Sequence, residues 1–140
     1  MTQEEKRRLL AGDLMSRVNY WIDLKVDYKG RTYTLFGYGA GRVSLLANPF
    51  SSTVEDDSPL IEEVKPYLRP MSSMTKEECI ELGNISATIE DVVEHIPNVP
   101  YYIEIARPEQ LDWLNAHHFD YRGLIEKGIA LEAPEGMYKF

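Results

Sequence analysis

A regular alternation of apolar and polar residues between positions 20 and 38 constrains the fold more than any other feature. In its first part the apolar side chains occupy every second position: Tyr20, Ile22, Leu24, Val26 and Tyr28. The dipeptide Lys29-Gly30 follows, and the alternation resumes over residues 31–38. A period of two is typical of strands, and a short turn that contains glycine joins antiparallel strands. The sequence therefore predicts a β-hairpin with one buried face.

Three glycines with a spacing of two follow the hairpin, at Gly37, Gly39 and Gly41. The spacing does not match a dinucleotide-binding fingerprint, and no helical pattern comes after it. A tight turn into a third strand over residues 42–46 is the better interpretation. The hairpin thus extends to a three-stranded meander.

The residues before the hairpin predict an N-terminal helix. Thr2 and Glu5 have the spacing of a capping box, and Leu10, Leu14 and Val18 form one apolar stripe over about four turns. We expect this stripe to pack on the apolar face of the hairpin.

The second half of the chain predicts short helices with one or two added strands. A capping box at Thr75 and Glu78 begins a helix that we expect to run to Leu82 and stop at Gly83. A third short helix, capped by Ser86 or Thr88, should end at Pro97. Residues 101–106 are β-branched and aromatic and predict a strand.

Pro108 should open a further helix, because proline is favoured at the first helical position. Leu111, Trp113, Leu114 and His118 would form its apolar side. Asp120 is expected to cap one more turn over residues 121–127, which Gly128 closes, and residues 129–132 predict a last short strand. We expect the tail, residues 134–140, to be loose.

A length of 140 residues, 44% of them hydrophobic and 27% charged, indicates one soluble α+β domain. We divide it into the helix and meander of residues 1–47, a mixed half at 59–133, and the tail. One cysteine, Cys79, cannot form an internal disulfide. No apolar run approaches a membrane span, and the charged N-terminus has no apolar segment behind it. We therefore expect no membrane association and a cytoplasmic location.

The formal net charge of −8 is unevenly distributed along the chain. Residues 1–70 carry 10 basic and 10 acidic side chains, whereas residues 71–140 carry 5 basic and 13 acidic ones. An acidic half repels a polyanion, so we expect no direct binding to nucleic acid. The same distribution leaves open an acidic mimic of nucleic acid, although basic residues interrupt the acidic ones.

The densest group of polar and aromatic residues lies at positions 112–123 and supplies the candidate functional residues. These are His117, His118, Asp120, Tyr121 and Arg122. Neighbouring histidines on a helix point about 100° apart and match no metal-ligand spacing, so we expect no metal and no cofactor. A histidine and a carboxylate could form an acid–base pair. The architectural alternative has the aromatic residues anchoring short helices, one histidine bonding a backbone carbonyl, and Asp120 acting as a cap.

Two blocks of the sequence resemble a family of small uncharacterised proteins of anaerobic gut bacteria and their prophages and mobile elements. The blocks are residues 64–75 (VKPYLRPMSSMT) and residues 113–128 (WLNAHHFDYRGLIEKG), and residues 130–138 are similar too. The resemblance covers about a quarter of the chain. It implies a genomic context and carries no functional residue over to this chain.

The interpretation that we favour is a non-enzymatic accessory protein, derived from a phage or mobile element, that binds an unidentified protein partner. The first alternative is a small enzyme that uses His117 or His118. The second is the acidic nucleic-acid mimic, acting as an anti-defence factor. The sequence leaves the oligomeric state open.

Overall fold

The structure is a computed structural model that describes residues 1–47, 58–86 and 108–139. The body of the helix predicted before Pro97 and the strand predicted over residues 101–106 lie outside these ranges. The described elements are, in chain order, α1 (Gln3–Ser16), β1 (Lys25–Tyr28), β2 (Arg31–Gly39), β3 (Arg42–Leu46), β4 (Lys65–Pro70), α2 (Lys76–Ser86), α3 (Pro108–Ala116), β5 (Phe119–Asp120) and β6 (Leu131–Glu132). Single 3₁₀ turns occupy Val18–Tyr20, Ile61–Glu63 and Met71–Ser73. The prediction of an α+β fold is confirmed.

The described strands form one sheet in the order β3-β2-β1-β4-β5, and β6 also pairs with β4. The first three strands are the predicted antiparallel meander, and β4 continues the antiparallel pairing beside β1. The short strands β5 and β6 both run parallel to β4. The C-terminal half is therefore joined to the meander through β4.

The turn between β1 and β2 is the predicted two-residue hairpin. Lys29 and Gly30 have φ angles of 52° and 79°, and Tyr28 pairs with Arg31 across the turn. Positive φ at both central residues matches the twist of the flanking strands. The second turn, at Ala40 and Gly41, has φ angles of 53° and 75° in the same way.

The helix α1 begins where its capping box predicts. The backbone N–H of Glu5 donates to Thr2 Oγ1 and the backbone N–H of Thr2 donates to the Glu5 carboxylate, at 3.1 and 3.2 Å. Leu10 and Leu14 are buried in the same core as Leu24 and the other inward residues of the meander. The predicted packing of helix on hairpin is confirmed.

The beginning of β1 is a correction to the prediction. Residues 18–20 form a 3₁₀ turn, the strand begins only at Lys25, and Val18 and Ile22 are 44% and 65% exposed. The physical reason is that backbone hydrogen bonds hold the chain after α1 in successive turns, from the N–H of Tyr20 to the carbonyl of Arg17 and from the N–H of Leu24 to the carbonyl of Trp21. Trp21 enters the interior at this point, and its Nε1 donates to the carbonyl of Leu14 at 2.9 Å.

Further expectations in the C-terminal half are wrong. Helix α2 does not stop at Gly83 but continues to Ser86. A strand is also present where none was predicted, because residues 65–70 form β4 despite two prolines. Pro66 pairs with Val26. The tail is not loose at Tyr138, whose hydroxyl donates to the carbonyl of Tyr67 at 2.7 Å and accepts from the N–H of Lys25 at 2.9 Å.

A second apolar core lies between α2, α3 and β5. Its buried members are Met71, Leu82, Trp113, Leu114, Phe119 and Tyr121. Cys79 packs against this core, and burial raises the pKa of its thiol. In the part of the chain that the structure describes, no helix has the length and apolar character to cross a membrane.

Candidate functional site

The candidate residues lie where α3 gives way to β5. The helix ends at Ala116, so His117 and His118 follow it and do not belong to it. His118 has a φ of 60°, and its N–H donates to the carbonyl of Asn115 at 3.1 Å. A residue with positive φ reverses the chain at a helix end, and histidine tolerates that conformation better than most side chains. The reversal directs Phe119 and Asp120 along the end of β4.

His117 is fixed by its contacts with Trp113. The two rings stack with centroids 3.9 Å apart and planes 21° apart. Nδ1 of His117 lies 2.9 Å from the carbonyl oxygen of Trp113, one helical turn earlier. This is the bond between a histidine and a backbone carbonyl that the architectural alternative requires.

His118 is fully buried, whereas His117 is half-buried. Nε2 of His118 lies 3.3 Å from Oδ1 of Asp23, and its ring centroid is 4.4 Å from that of Tyr138. The pKa of His118 is lowered to about 4, chiefly by burial; Asp23 opposes this change and the nearby Arg17 adds to it. The imidazole is therefore neutral at physiological pH.

Asp120 and Tyr121 have structural partners. The two carboxylate oxygens of Asp120 accept from the N–H groups of Leu124 and Ile125 at 2.8 and 2.9 Å. The predicted helical turn over residues 121–127 is wrong, because Asp120 lies in β5 and the residues after it form turns that its carboxylate holds. The hydroxyl of Tyr121 donates to Oδ1 of Asn115 at 2.7 Å. Both side chains are buried.

Arg122 belongs to an ion network that the sequence reasoning missed. Its Nη1 donates to Oδ1 of Asp13 at 2.8 Å, and Asp13 also accepts from Arg17 at 2.9 and 3.0 Å. Arg17 is fully buried and donates to the carbonyl of Phe119 at 2.7 Å. The guanidinium carbons of Arg17 and Arg122 lie 5.4 and 4.5 Å from the ring centre of Tyr121.

A signal for this network was present in the sequence. Asp13 and Arg17 have an i, i+4 spacing, and both lie within one turn of the apolar stripe at Leu10 and Leu14. Charged residues next to an apolar stripe either lie at its border with solvent or are buried as an ion pair. The pair ties α1 to the segment at residues 119–122, across the two halves of the chain.

The structure thus brings all five candidate residues into one neighbourhood but not onto one open surface. His118, Asp120 and Tyr121 are buried, and only His117 and Arg122 are partly exposed. These residues connect α1, α3 and β4: Arg122 bonds to Asp13, His117 stacks on Trp113, and Asp120 pairs with the end of β4. Among the described residues, no group of three or more His, Cys, Asp and Glu side chains is placed to hold a metal ion.

Apart from the candidate residues, one surface of the protein exposes several large apolar side chains. We call it the apolar face, a groove of about 350 Å³ together with the residues that line it: Val18, Trp21, Ile22, Thr34, Leu35, Phe36 and Leu46. Ile22 is 65% exposed and Phe36 is 52% exposed. The sequence pattern does not indicate this surface, because it predicts that Val18 and Ile22 are buried.

A β-bulge contributes to the shape of the apolar face. The register between β2 and β3 shifts between Leu35 and Gly37, so that Phe36 is an extra residue without a paired partner. A bulge redirects a side chain and often lies beside a functional site. In this protein the bulged residue is Phe36, whose large aromatic side chain is exposed next to the groove.

A second groove, of about 300 Å³, lies between β4 and the C-terminal segment and is lined by Arg69, Glu132, Glu135, Tyr138 and neighbouring residues. Arg69 makes a bidentate ion pair with Glu78, at 2.7 and 2.9 Å. This ion pair lowers the pKa of Glu78, against the effect of its partial burial. The groove is lined in part by charged residues, among them Arg69, Glu132 and Glu135. Arg69 already has a carboxylate partner in Glu78.

Comparisons with protein-family models, with curated proteins and with solved structures found no match to this chain.

Proposed function

We propose that this protein is a non-enzymatic accessory protein that acts by binding protein through the apolar face. The observation that carries the proposal is the exposure of Ile22 and Phe36 beside an apolar groove of about 350 Å³. Single exposed apolar residues are common on soluble proteins, but contiguous apolar surface next to a recess is typical of interaction sites.

The contacts of the candidate histidines support binding over catalysis. The ring of His117 is stacked on Trp113, and His118 is buried beneath Tyr138. A general base needs access to a substrate proton. Both histidines instead pack and orient the chain between α3 and β5.

Charge supports a protein as the partner. The formal net charge of −8 opposes direct binding to nucleic acid. The resemblance of residues 64–75 and 113–128 to proteins of prophages and mobile elements supports that origin for the chain, with the cytoplasm as its compartment.

The experiment that tests the proposal is a comparison of three tagged baits expressed in the native host. The baits are the parent, Ile22→Asp, which places a charge on the apolar face, and Ile80→Asp, a matched control. Ile80 is 37% exposed on α2 and does not line the groove. Mass spectrometry after capture should identify a protein, another host protein or the chain itself, that the parent and Ile80→Asp retain and Ile22→Asp loses.

The same protein captured equally by all three baits would overturn the proposal. So would a capture in which nothing above background depends on the bait. Circular dichroism of each purified bait confirms that the chain is folded, which separates a lost contact from a lost fold.

A further inference from the structure

We propose that residues 131–138 form a strap that opens in acid while the rest of the sheet stays folded, because the strap covers the buried imidazole of His118. The ring of Tyr138 lies 4.4 Å from the ring of His118, centroid to centroid, with the planes 40° apart. His118 is fully buried. The strap therefore lies over an imidazole that water must reach before the ring is readily protonated.

The strap is attached to the sheet at its two ends. At one end β6 pairs with β4, and the N–H of Ala133 donates to the carbonyl of Leu68 at 2.8 Å. At the other end the hydroxyl of Tyr138 bonds to the backbone of both β1 and β4. Residues 134–136 between these ends are exposed. A short segment of this kind opens at a lower free energy than the sheet that it covers.

The charges around His118 oppose protonation while the strap is closed. The groups that face the imidazole are Asp23 from the turn before β1, Arg17 from the end of α1, the neighbouring His117 and the ring of Tyr138. Asp23 is 3.3 Å away but 56% exposed, whereas Arg17 is a fully buried cation. An imidazolium at this position would be desolvated beside a like charge. Opening the strap admits water to the ring, so the open state binds the proton more tightly.

Opening would change the surface of the protein as well as its charge. The hydroxyl of Tyr138 would release the N–H of Lys25 on β1 and the carbonyl of Tyr67 on β4. The second groove, of about 300 Å³, would lose a wall, because residues 132–136 form one side of it and Arg69 lies on the other. Acid would thus replace a closed groove by exposed strand backbone.

The experiment is amide hydrogen exchange of the full chain, followed by NMR at a series of pH values between 7 and 4. Protection is the ratio of the intrinsic exchange rate at each pH to the observed rate. Lys25 and Ala133 report on the strap, because their N–H groups bond to Tyr138 and to β4. Val26 and Tyr33, which pair across β1 and β2, report on the sheet.

Protection at Lys25 and Ala133 should be lower than at the two sheet residues at every pH. It should also fall by about a hundredfold between pH 7 and pH 4. That factor follows because the imidazole has a pKa near 6.5 in water, whereas burial lowers the pKa of His118 to about 4 in the closed structure. The open state therefore binds more protons in this range, and a fall in pH favours it.

Two histidine variants separate His118 from the other groups that titrate between pH 7 and pH 4. In His118→Asn the protection at Lys25 and Ala133 should decrease much less over this range, because asparagine does not titrate. The matched control His117→Asn should behave as the parent does. Circular dichroism shows whether each variant is folded.

Asp23→Asn is a further variant that keeps the buried imidazole. It removes the exposed carboxylate that opposes the low pKa of His118. The loss of protection at Lys25 and Ala133 should then be larger than in the parent.

Equal protection of the strap and the sheet at every pH would overturn the proposal, because opening would then be global unfolding. A loss of protection at Lys25 and Ala133 that is the same in the parent and in His118→Asn would overturn it too. If His118→Asn does not fold, a loss in Asp23→Asn no larger than in the parent has the same consequence.

Discussion

The interior of this protein contains a buried ion network as well as its apolar cores. Arg17 and Asp13 are both fully buried, and the ion pair has Arg122 as a third member. Removing one member of a buried pair is costly because it leaves an uncompensated charge in a medium of low polarity. The Asp13 carboxylate is the only described acid that pairs with both arginines.

We therefore expect Asp13→Asn to lower the free energy of unfolding by about 3–5 kcal/mol. The matched control is Glu62→Gln, which breaks the ion pair with the largely exposed Arg7 and should change stability little. Chemical denaturation of both variants measures the difference. Equal losses in the two variants would contradict a structural role for the buried network.

His118 makes the stability of the fold depend on pH. The unfolded chain binds a proton at this side chain near pH 6.5, whereas in the folded chain its pKa is about 4. Between these two pKa values the unfolded state binds more protons than the folded state. The contribution of His118 to stability is therefore fully present above pH 6.5, and it is lost as the pH falls toward 4. The loss from this one group reaches about 3 kcal/mol, since each tenfold difference in proton affinity is worth about 1.4 kcal/mol.

The variant His118→Asn tests this, because asparagine tolerates the positive φ and does not titrate. Its free energy of unfolding should be lower than that of the parent at neutral pH, owing to lost packing. The decrease between pH 7 and pH 4 should be smaller than in the parent. Parallel pH profiles for the two proteins would show that His118 does not carry this dependence.

At the scale of the elements, Trp113 holds α3 in place, and the two histidines that follow the helix contribute less. Trp113 is buried in the second core, and its Nε1 donates to the carboxylate of Glu81 at 3.1 Å, which joins α3 to α2. Its ring also lies 5.9 Å from that of Phe119, centroid to centroid. His117 covers the outer side of the same ring.

We expect Trp113→Ala to cost about 3–5 kcal/mol, the usual loss for a buried tryptophan. His117→Ala should cost much less, because it removes one stacking contact from a half-buried position. Thermal and chemical denaturation of the two variants rank them. A stable Trp113→Ala would contradict the architectural interpretation of residues 112–123.

At the scale of the whole molecule, the C-terminal segment closes the structure over β1 and β4. The Tyr138 hydroxyl bridges the N–H of Lys25 and the carbonyl of Tyr67, two groups on neighbouring strands that are far apart in sequence. Burial raises the pKa of this phenol well above its usual range. Tyr138 therefore belongs to the fold.

Tyr138→Phe should lower the free energy of unfolding by about 1 kcal/mol, because it removes two partly buried hydrogen bonds. Amide exchange at Lys25 should become faster in this variant. Tyr20→Phe is the control, because it removes a more exposed hydroxyl that bonds to Asp112. Unchanged exchange at Lys25 would show that the segment does not secure the strand.

The sequence by itself determined the elements whose signals are local. These elements are the capping boxes at Thr2 and Thr75, the turn at Lys29-Gly30 and the opening of α3 at Pro108. Each depends on neighbours within a few residues. Short-range chemistry of this kind is readable because the partners are fixed by spacing along the chain.

Only the tertiary structure decided which residues face outward and which charges are buried. Ile22 has the correct spacing for a strand face, yet the reversal after α1 gives the interior position to Trp21. Likewise Arg17 is buried where the carbonyl of Phe119, 102 residues later in the chain, accepts from its guanidinium beside Asp13. Such positions depend on long-range packing, and a periodic pattern contains no information about the partner that the rest of the chain supplies.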